Sequence, residues 1–361
     1  MAMTDQGTAT VGARVAPPSF WKRVRSERIA LFYLAPALVV MLMMTFYPLV
    51  FQVWMSFTDY GVIKEEGKQT LNQFGPNGQP PVNYRPAQFV GLSNYQQILT
   101  SDPKFVAKLA TNFNFSNQVV FNLWWTFSNV IFHVGLGIII AVFLNVEGLF
   151  GRQIYRAVFI LPMVLPNIVI ATVWKNMFDD QYGAINQALK ILFTPFGFAP
   201  EAFNIRWFNQ IQDPVPGIPL PLSYFAMLIA NIWLGWPFMT IVATGALQSI
   251  PKDMYEAASI DGATGLQQFW KITLPMIRPA MIPAAMVGMV TTFNLFHVVF
   301  FMSAGGPLGR TEILVTQAYK LINSFQLYGM AAAFCVMIAL ILAPIFLITN
   351  RISRATESYD V

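Results

Sequence analysis

Charge is what this chain has least of. Only 11% of its 361 residues are Asp, Glu, Lys or Arg, where an ordinary soluble domain carries roughly 25%. The shortage is concentrated in gaps. No charged side chain occurs between Arg28 and Asp59, Lys108 and Glu147, Arg156 and Lys175, Asp213 and Lys252, Arg278 and Arg310, or Lys320 and Arg351. A helix needs about 20 apolar residues to cross a bilayer core, and a charge held at its centre costs about 3 kcal/mol or more. Each gap therefore reads as a span, at approximately 29–54, 119–145, 155–177, 222–247, 276–301 and 329–350. The expected class is an all-α integral membrane protein with six transmembrane helices.

Other absences exclude chemistry. The single cysteine, Cys335, rules out a disulfide framework and reads as a small apolar residue inside the sixth span. There is no G-x-x-x-x-G-K-[ST] phosphate loop. Gly305–Thr311 (GGPLGRT) has the wrong spacing, carries Arg310 in place of the lysine, and reads as a turn. His133 and His297 stand alone, without partners at metal-ligand spacing, and are expected to be hydrogen-bonded core residues. No nucleophile-and-base set or carboxylate pair falls within the spans, which disfavours a membrane-embedded enzyme. An ion-coupled secondary transporter is the main alternative class. It would need an acidic residue within the membrane, and the gaps hold none.

The charges that are present lie beside the spans. Arg14, Lys22, Arg23, Arg25 and Arg28 precede the first span, Arg152 and Arg156 flank the turn between the second and third, and Arg351 and Arg354 follow the last. Short basic segments stay cytoplasmic, so both termini and the 248–275 loop are expected inside, and the loops 59–118, 178–221 and 302–328 outside. The net charge of +5 thus argues topology and not nucleic acid. A hydrophobic stretch this long after a basic tail reads as an uncleaved first span, not a signal peptide. Phe51, Trp54, Trp124, Trp125, Trp174 and Tyr224 sit near span ends as interfacial aromatics do.

The resulting organisation is an N-terminal tail at 1–28, unstructured to about Pro18, a six-span domain at 29–350 and a C-terminal tail at 351–361. Within the 59–118 loop the Pro-rich centre Gly75–Pro86 should be irregular. Val90–Leu99 and Pro103–Leu109 are expected as short helices on the membrane surface, and Tyr182–Phe193 as an amphipathic helix. The prolines 162, 166, 237, 279 and 283 are expected at kinks or helix ends.

The 248–275 loop is different in character. Pro251 suits a first helical turn and Gly262 a helix end. Met254, Tyr255, Ala258 and Ala257 would form an apolar face between them. Thr264 and Gln267 have capping-box spacing, which starts a second helix expected to end near Leu274 and Pro275. From the residues alone this hinged pair is either a docking element for another protein or an amphipathic connector.

Glu256, Ala257, Ala258, Gly262, Ile272, Leu274 and Pro275 reproduce EAA-x3-G-x9-I-x-L-P. In this the chain resembles permease subunits of bacterial ABC importers. Arg152–Phe178, Asn231–Met239 and Phe293–Pro307 are similar to the carbohydrate branch, in particular the maltose/maltodextrin permeases. The resemblance, which runs over about 56–351, implies a type I (MalF/MalG-like) permease fold in a bacterial inner membrane. It implies a second, MalG-like permease subunit, a dimer of ABC ATPase subunits and an extracytoplasmic sugar-binding protein as partners. This chain would bind no cofactor, with ATP and Mg used by the ATPase. Glu256, Ala257, Ala258, Asp261 and Gly262, with Leu274 and Pro275, would form the coupling element seated on that ATPase.

A sugar site needs polar groups within the bundle, and Asn167, Asn231, Thr291, Thr292, Asn294 and His297 are the polar side chains considered for it. Each asparagine has a competing role in interhelical bonding. The resemblance places Asn231, Leu234, Gly235 and Phe238, Met163 and Asn167, and Gly288, Thr291, Thr292 and Leu295 at sugar-contact positions. Phe238 and Met163 stand where the maltose pattern has tyrosine, Gly288 where it has serine, and Thr292 and Leu295 where it has asparagine. The implied pocket is less polar, or differently polar, which counts against maltose itself and keeps an oligosaccharide as the expected substrate class.

Overall fold

A computed structural model describes residues 28–65, 68–71, 87–109, 112–146 and 148–357. The tail before Arg28 and the centre of the 59–118 loop lie outside the described residues. Two compact units are distinguished, one ending at Trp54 and one beginning at Met55. In the first, α1 (Arg28–Met41) passes through a π turn at Leu42–Phe46 into α2 (Tyr47–Met55). Its side chains from Phe32 to Phe51 are exposed, an apolar surface suited to lipid or another membrane helix.

The second unit begins with a hairpin, β1 (Val62–Glu65) against β2 (Lys68–Leu71), which no sequence signal anticipated. Next come α3 (Ser93–Leu99) and α4 (Pro103–Leu109). Both were expected as short helices, and they pack against the bundle. Ile98, Phe105 and Leu109 are fully buried and share a core with Phe113, Leu314 and Phe334. The unit's long helices are α5 (Phe115–Leu144), α9 (Leu222–Gln248), α12 (Leu274–Phe293) and α14 (Tyr328–Glu357).

Among the described residues five helices are long and apolar enough to cross a membrane, and a bent pair makes a sixth where it counts as one span. That pair falls in the span expected over 155–177, and its break lies at Pro166, one of the prolines expected at a kink or helix end. α6 (Arg152–Val164) and α7 (Asn167–Met177) meet at 97°. The cause is local: a residue before proline is pushed out of the helical region, and Leu165, before Pro166, has ψ 142°. Pro162, Pro237, Pro279 and Pro283 lie inside helices and end none of them.

Pro275 also departs from expectation. The helix that begins after Thr264 does not stop there. It runs from α11 (Gly265–Gln268) through a π turn at Phe269–Thr273 into α12. In that turn the Leu274 N–H reaches back to the Phe269 carbonyl, a frame shift that lets the helix pass a residue with no N–H. Pro48 follows the turn at Leu42–Phe46 in the same register, with the Tyr47 N–H on the Leu42 carbonyl.

Polar side chains lock α5 to α9. Asn231 Nδ2 donates to Asn129 Oδ1 at 2.7 Å, and His133 Nε2 is 2.9 Å from the Asn231 carbonyl. The ring of His133 lies so close to Gly235 that an added Cβ would sit 2.2 Å from it. Asn122 extends the lock by donating to the Phe293 carbonyl (3.1 Å) and accepting from the Leu314 N–H (2.8 Å). That contact fixes the end of α12 and the start of α13 (Leu314–Asn323).

At the end of the bundle opposite the 248–275 loop, Gly305–Thr311 is the expected turn, held by Ser223 Oγ donating to the Gly306 carbonyl at 3.0 Å. Glu312, buried beside it, pairs with Lys320. Burial pushes the Glu312 carboxyl above its ordinary value against the pull of that ammonium.

Gly235→Ala drives a methyl into the His133 ring and should lower stability by about 1–3 kcal/mol. Gly135→Ala, in the same helix as His133 but facing open space, should be neutral or raise it by about 0.5–1 kcal/mol. Thermal unfolding of the two purified variants in detergent checks the contrast.

Candidate functional site

The 248–275 loop folds as a self-braced knob. α10 (Lys252–Ile260) ends in a Schellman closure, with the Ala263 N–H on the Ala258 carbonyl (2.9 Å), the Gly262 N–H on the Ser259 carbonyl (3.1 Å) and Gly262 at φ +79°. Thr264 and Gln267 form the anticipated capping box. Two further contacts were not visible in the sequence. Gln268 Nε2 donates to Ser259 Oγ (2.9 Å) and, at 3.4–3.5 Å, to the carbonyls of Ala263 and Tyr255. The Tyr255 hydroxyl meets Thr273 Oγ1 at 2.9 Å, tying α10 to the helix entering the bundle.

The expected apolar face of α10 is split. Tyr255 and Ala258 turn inward, whereas Met254 and Ala257 are exposed. Glu256, Asp261 and Gly262 are exposed with them, and Ile260, Leu266 and Trp270 add apolar surface at 87%, 70% and 59% exposure. Isolated exposed apolar residues are ordinary, whereas this braced loop carries three large ones. Leu274 and Pro275 lie in the continuous helix behind the knob, Leu274 half-buried and Pro275 exposed.

The residues considered for a sugar site divide into two groups. Asn231, Leu234, Gly235, Phe238 and Thr292 belong to the interior. Asn231 is consumed by Asn129, Gly235 is filled by the His133 ring, Leu234 and Phe238 pack against core clusters, and Thr292 is buried. Gly288 is likewise buried, with room for a Cβ blocked by the Met239 methyl. Asn231, Gly288 and Thr292 are buried, and Leu234, Gly235 and Phe238 are half-buried.

The second group lies toward solvent-accessible surface at two interruptions of the helices. Asn167, exposed at the bend between α6 and α7, has its Nδ2 3.0 Å from His297 Nε2. Thr291 is exposed and bonds its own helix, and Asn294 does the same from a half-buried position where α12 breaks. Met163 and Leu295 flank them, exposed and half-buried respectively. His133 fits the expected core histidine and His297 does not: it is half-buried and faces Asn167. No sequence signal pairs positions 130 residues apart. Among the described residues no group of three His, Cys, Asp or Glu could hold a metal.

The model of the family "binding-protein-dependent transport system inner membrane component" matches residues 133–358. The galactooligosaccharides transport system permease protein GanP of Bacillus subtilis (strain 168) is 28% identical over 91% of this chain and 70% of its own. The maltodextrin transport system permease protein MdxF of the same organism is 30% identical over 90% and 69%. The trehalose/maltose transport system permease protein MalF of Thermococcus litoralis is 31% identical over 74% and 80%. A chain in the crystal structure of a bacterial ABC transporter involved in the import of the acidic polysaccharide alginate superposes with a TM-score of 0.68. It covers 93% of this chain and 98% of that one at 18% identity, a likeness of fold.

Gln268→Leu removes the brace of the knob and should cost about 1 kcal/mol locally. Hydrogen exchange should quicken across 252–268 and stay unchanged in α5 and α9. Equal protection in both regions would show that the brace is idle.

Proposed function

The chain belongs to the family of binding-protein-dependent transport system inner membrane components, and from that premise we propose that it is the permease subunit of an ATP-driven ABC importer for a neutral oligosaccharide of the maltodextrin kind. The observation that carries the reading is the braced, apolar-tipped knob bearing the EAA-x3-G sequence at Glu256–Gly262. A short helix held rigid by its own hydrogen bonds, with Ile260, Leu266 and Trp270 exposed, has the form of a segment inserted into another protein's cleft. The names of the relatives favour oligosaccharides, and the exposed polar strip at the two helix breaks supplies hydroxyl partners.

In this reading the bilayer surrounds a six-span domain at 29–350 with both termini in the cytoplasm of a bacterial cell. A MalG-like second permease faces the strip of Asn167, Thr291, Asn294 and His297, and the sugar passes between the two subunits. Glu256 and Asp261 anchor the knob on an ATPase dimer by charge, and an extracytoplasmic sugar-binding protein delivers substrate to the opposite end. The chain catalyses nothing itself, and ATP and Mg are used by the ATPase. Alternating access is then a two-state equilibrium that ATP binding biases through the knob.

Reconstitution of the chain with its second permease, ATPase and binding protein tests this. Maltotriose uptake should require ATP. Glu256→Lys and Gly262→Val should each lower sugar-stimulated ATP hydrolysis about tenfold or more while the complex still inserts in the membrane. Uptake by this chain alone, driven by a proton or sodium gradient, would instead identify an ion-coupled transporter.

A further inference from the structure

Between the end of α7 and the start of α9 the chain carries an apolar corner that it does not cover itself. The corner is built on α8 (Ala184–Phe193). The inner face of α8 holds Asn186, fully buried, with Ile185, Leu189 and Phe193 half-buried. A surface helix in water backs such a face with a polar one. Here the outer face is Ala184, Ala188, Ile191 and Leu192, all exposed, with Gln187 at its margin. Phe196 and Phe198 continue the apolar run around a turn at Gly197, whose φ is +87°. Ile191, Leu192, Phe196 and Phe198 are 77%, 58%, 75% and 54% exposed.

We propose that this corner is a lipid-contact surface, an interfacial helix and turn seated in the headgroup layer of the leaflet where α7 ends. The inference goes beyond the importer reading and does not depend on which solute is moved.

Continuity with a span identifies the occupant. α7 closes the bent pair read as one span, and residues 178–183 join its end to α8. The join is stiff. Trp174 of α7 stacks on Phe178 with 5.8 Å between ring centres, and Phe178 meets Trp207 at 4.8 Å. Trp207 Nε1 in turn donates to Asn186 Oδ1 at 2.8 Å. Asn186 Nδ2 donates to the carbonyls of Asp180 (3.2 Å) and Ile205 (3.0 Å). Phe193 and Phe198 both pack on the Phe203 ring. The corner is thereby fixed beside the point where the span ends and cannot fold its outer face away from its surroundings.

Composition favours lipid over a protein partner. A protein interface surrounds its apolar centre with polar groups that pair across it. In residues 191–200 (ILFTPFGFAP) the one polar side chain is Thr194, and its hydroxyl already donates to the Lys190 carbonyl at 2.6 Å. Interfacial segments need apolar area and a cation at its edge instead. Lys190 is the one charged residue between Tyr182 and Glu201, and a lysine there can keep its stem apolar while its ammonium meets lipid phosphate.

The test uses the full chain in vesicles of phosphatidylethanolamine and phosphatidylglycerol, without partner subunits. Cys335→Ala removes the native thiol, and Ile191→Cys, Phe196→Cys and Gln212→Cys each receive the same nitroxide. Collision with oxygen, which concentrates in lipid, is compared with collision with a water-soluble nickel chelate. The oxygen-to-nickel ratio at positions 191 and 196 should be several-fold above that at 212, which is exposed in the same loop outside the corner. All three side chains are exposed, so labelling should leave the fold intact, which an unchanged thermal unfolding midpoint in detergent verifies. Equal ratios at the three positions would overturn the proposal and leave the importer reading untouched. Low collision with both reagents at 191 and 196 would place a second copy of this chain over the corner and would equally overturn it.

Discussion

The interlock between α5 and α9 is the contact on which the second unit depends. Without water, helices in a bilayer gain little from burying apolar surface against one another, and close packing with a few polar bonds must align them. Here Asn129, Asn231 and His133 satisfy each other across the interface, and Gly235 allows the imidazole to approach. Gly137 performs the same service against Met239, where a Cβ would lie 2.4 Å from the Met239 Cβ. These are fixed distances between backbones. They make this helix pair the frame against which other elements are positioned.

Two elements outside that frame are interrupted. α6 and α7 are separated by Pro166, and α12 gives way at Asn294 to a short helix, Phe296–Val298. Asn122 stabilises the second break by taking up the Phe293 carbonyl, so the interruption leaves no orphan acceptor there. Backbone irregularity at membrane depth is tolerated where protein or water satisfies it. The polar side chains Asn167, Asn294 and His297 stand at these breaks, which distinguishes them from Asn231 in the frame.

How much of this was legible follows from the range of each interaction. The spans could be read because desolvation of charge acts residue by residue, and the gap from Lys320 to Arg351 needs no partner to be understood. The Thr264–Gln267 cap and the Gly262 closure were legible for the same reason, since both are settled within one turn of helix. The Asn129–Asn231 bond joins positions 102 residues apart, and two asparagines in separate spans do not announce that they meet. Nor does the sequence show that the His133 ring lies against Gly235. Pro275 misled in another way. A proline predicts a missing donor, but whether a π turn absorbs it depends on the preceding five residues and on the packing of Thr273.

The continuity past Pro275 matters mechanically. If the helix ended there, a push on α10 would be dissipated in a loose joint before it reached the bundle. The Tyr255–Thr273 bond and the Gln268 brace instead tie the knob to one helical run extending from Gly265 through Phe293. The far end of that run is the break at Asn294, where it meets His297 and, through it, Asn167 on α7. In the importer reading, a motion applied at the knob would be carried along this helix to a polar contact that bridges two helix interruptions. The α5–α9 interlock beside it has no such break through which to yield.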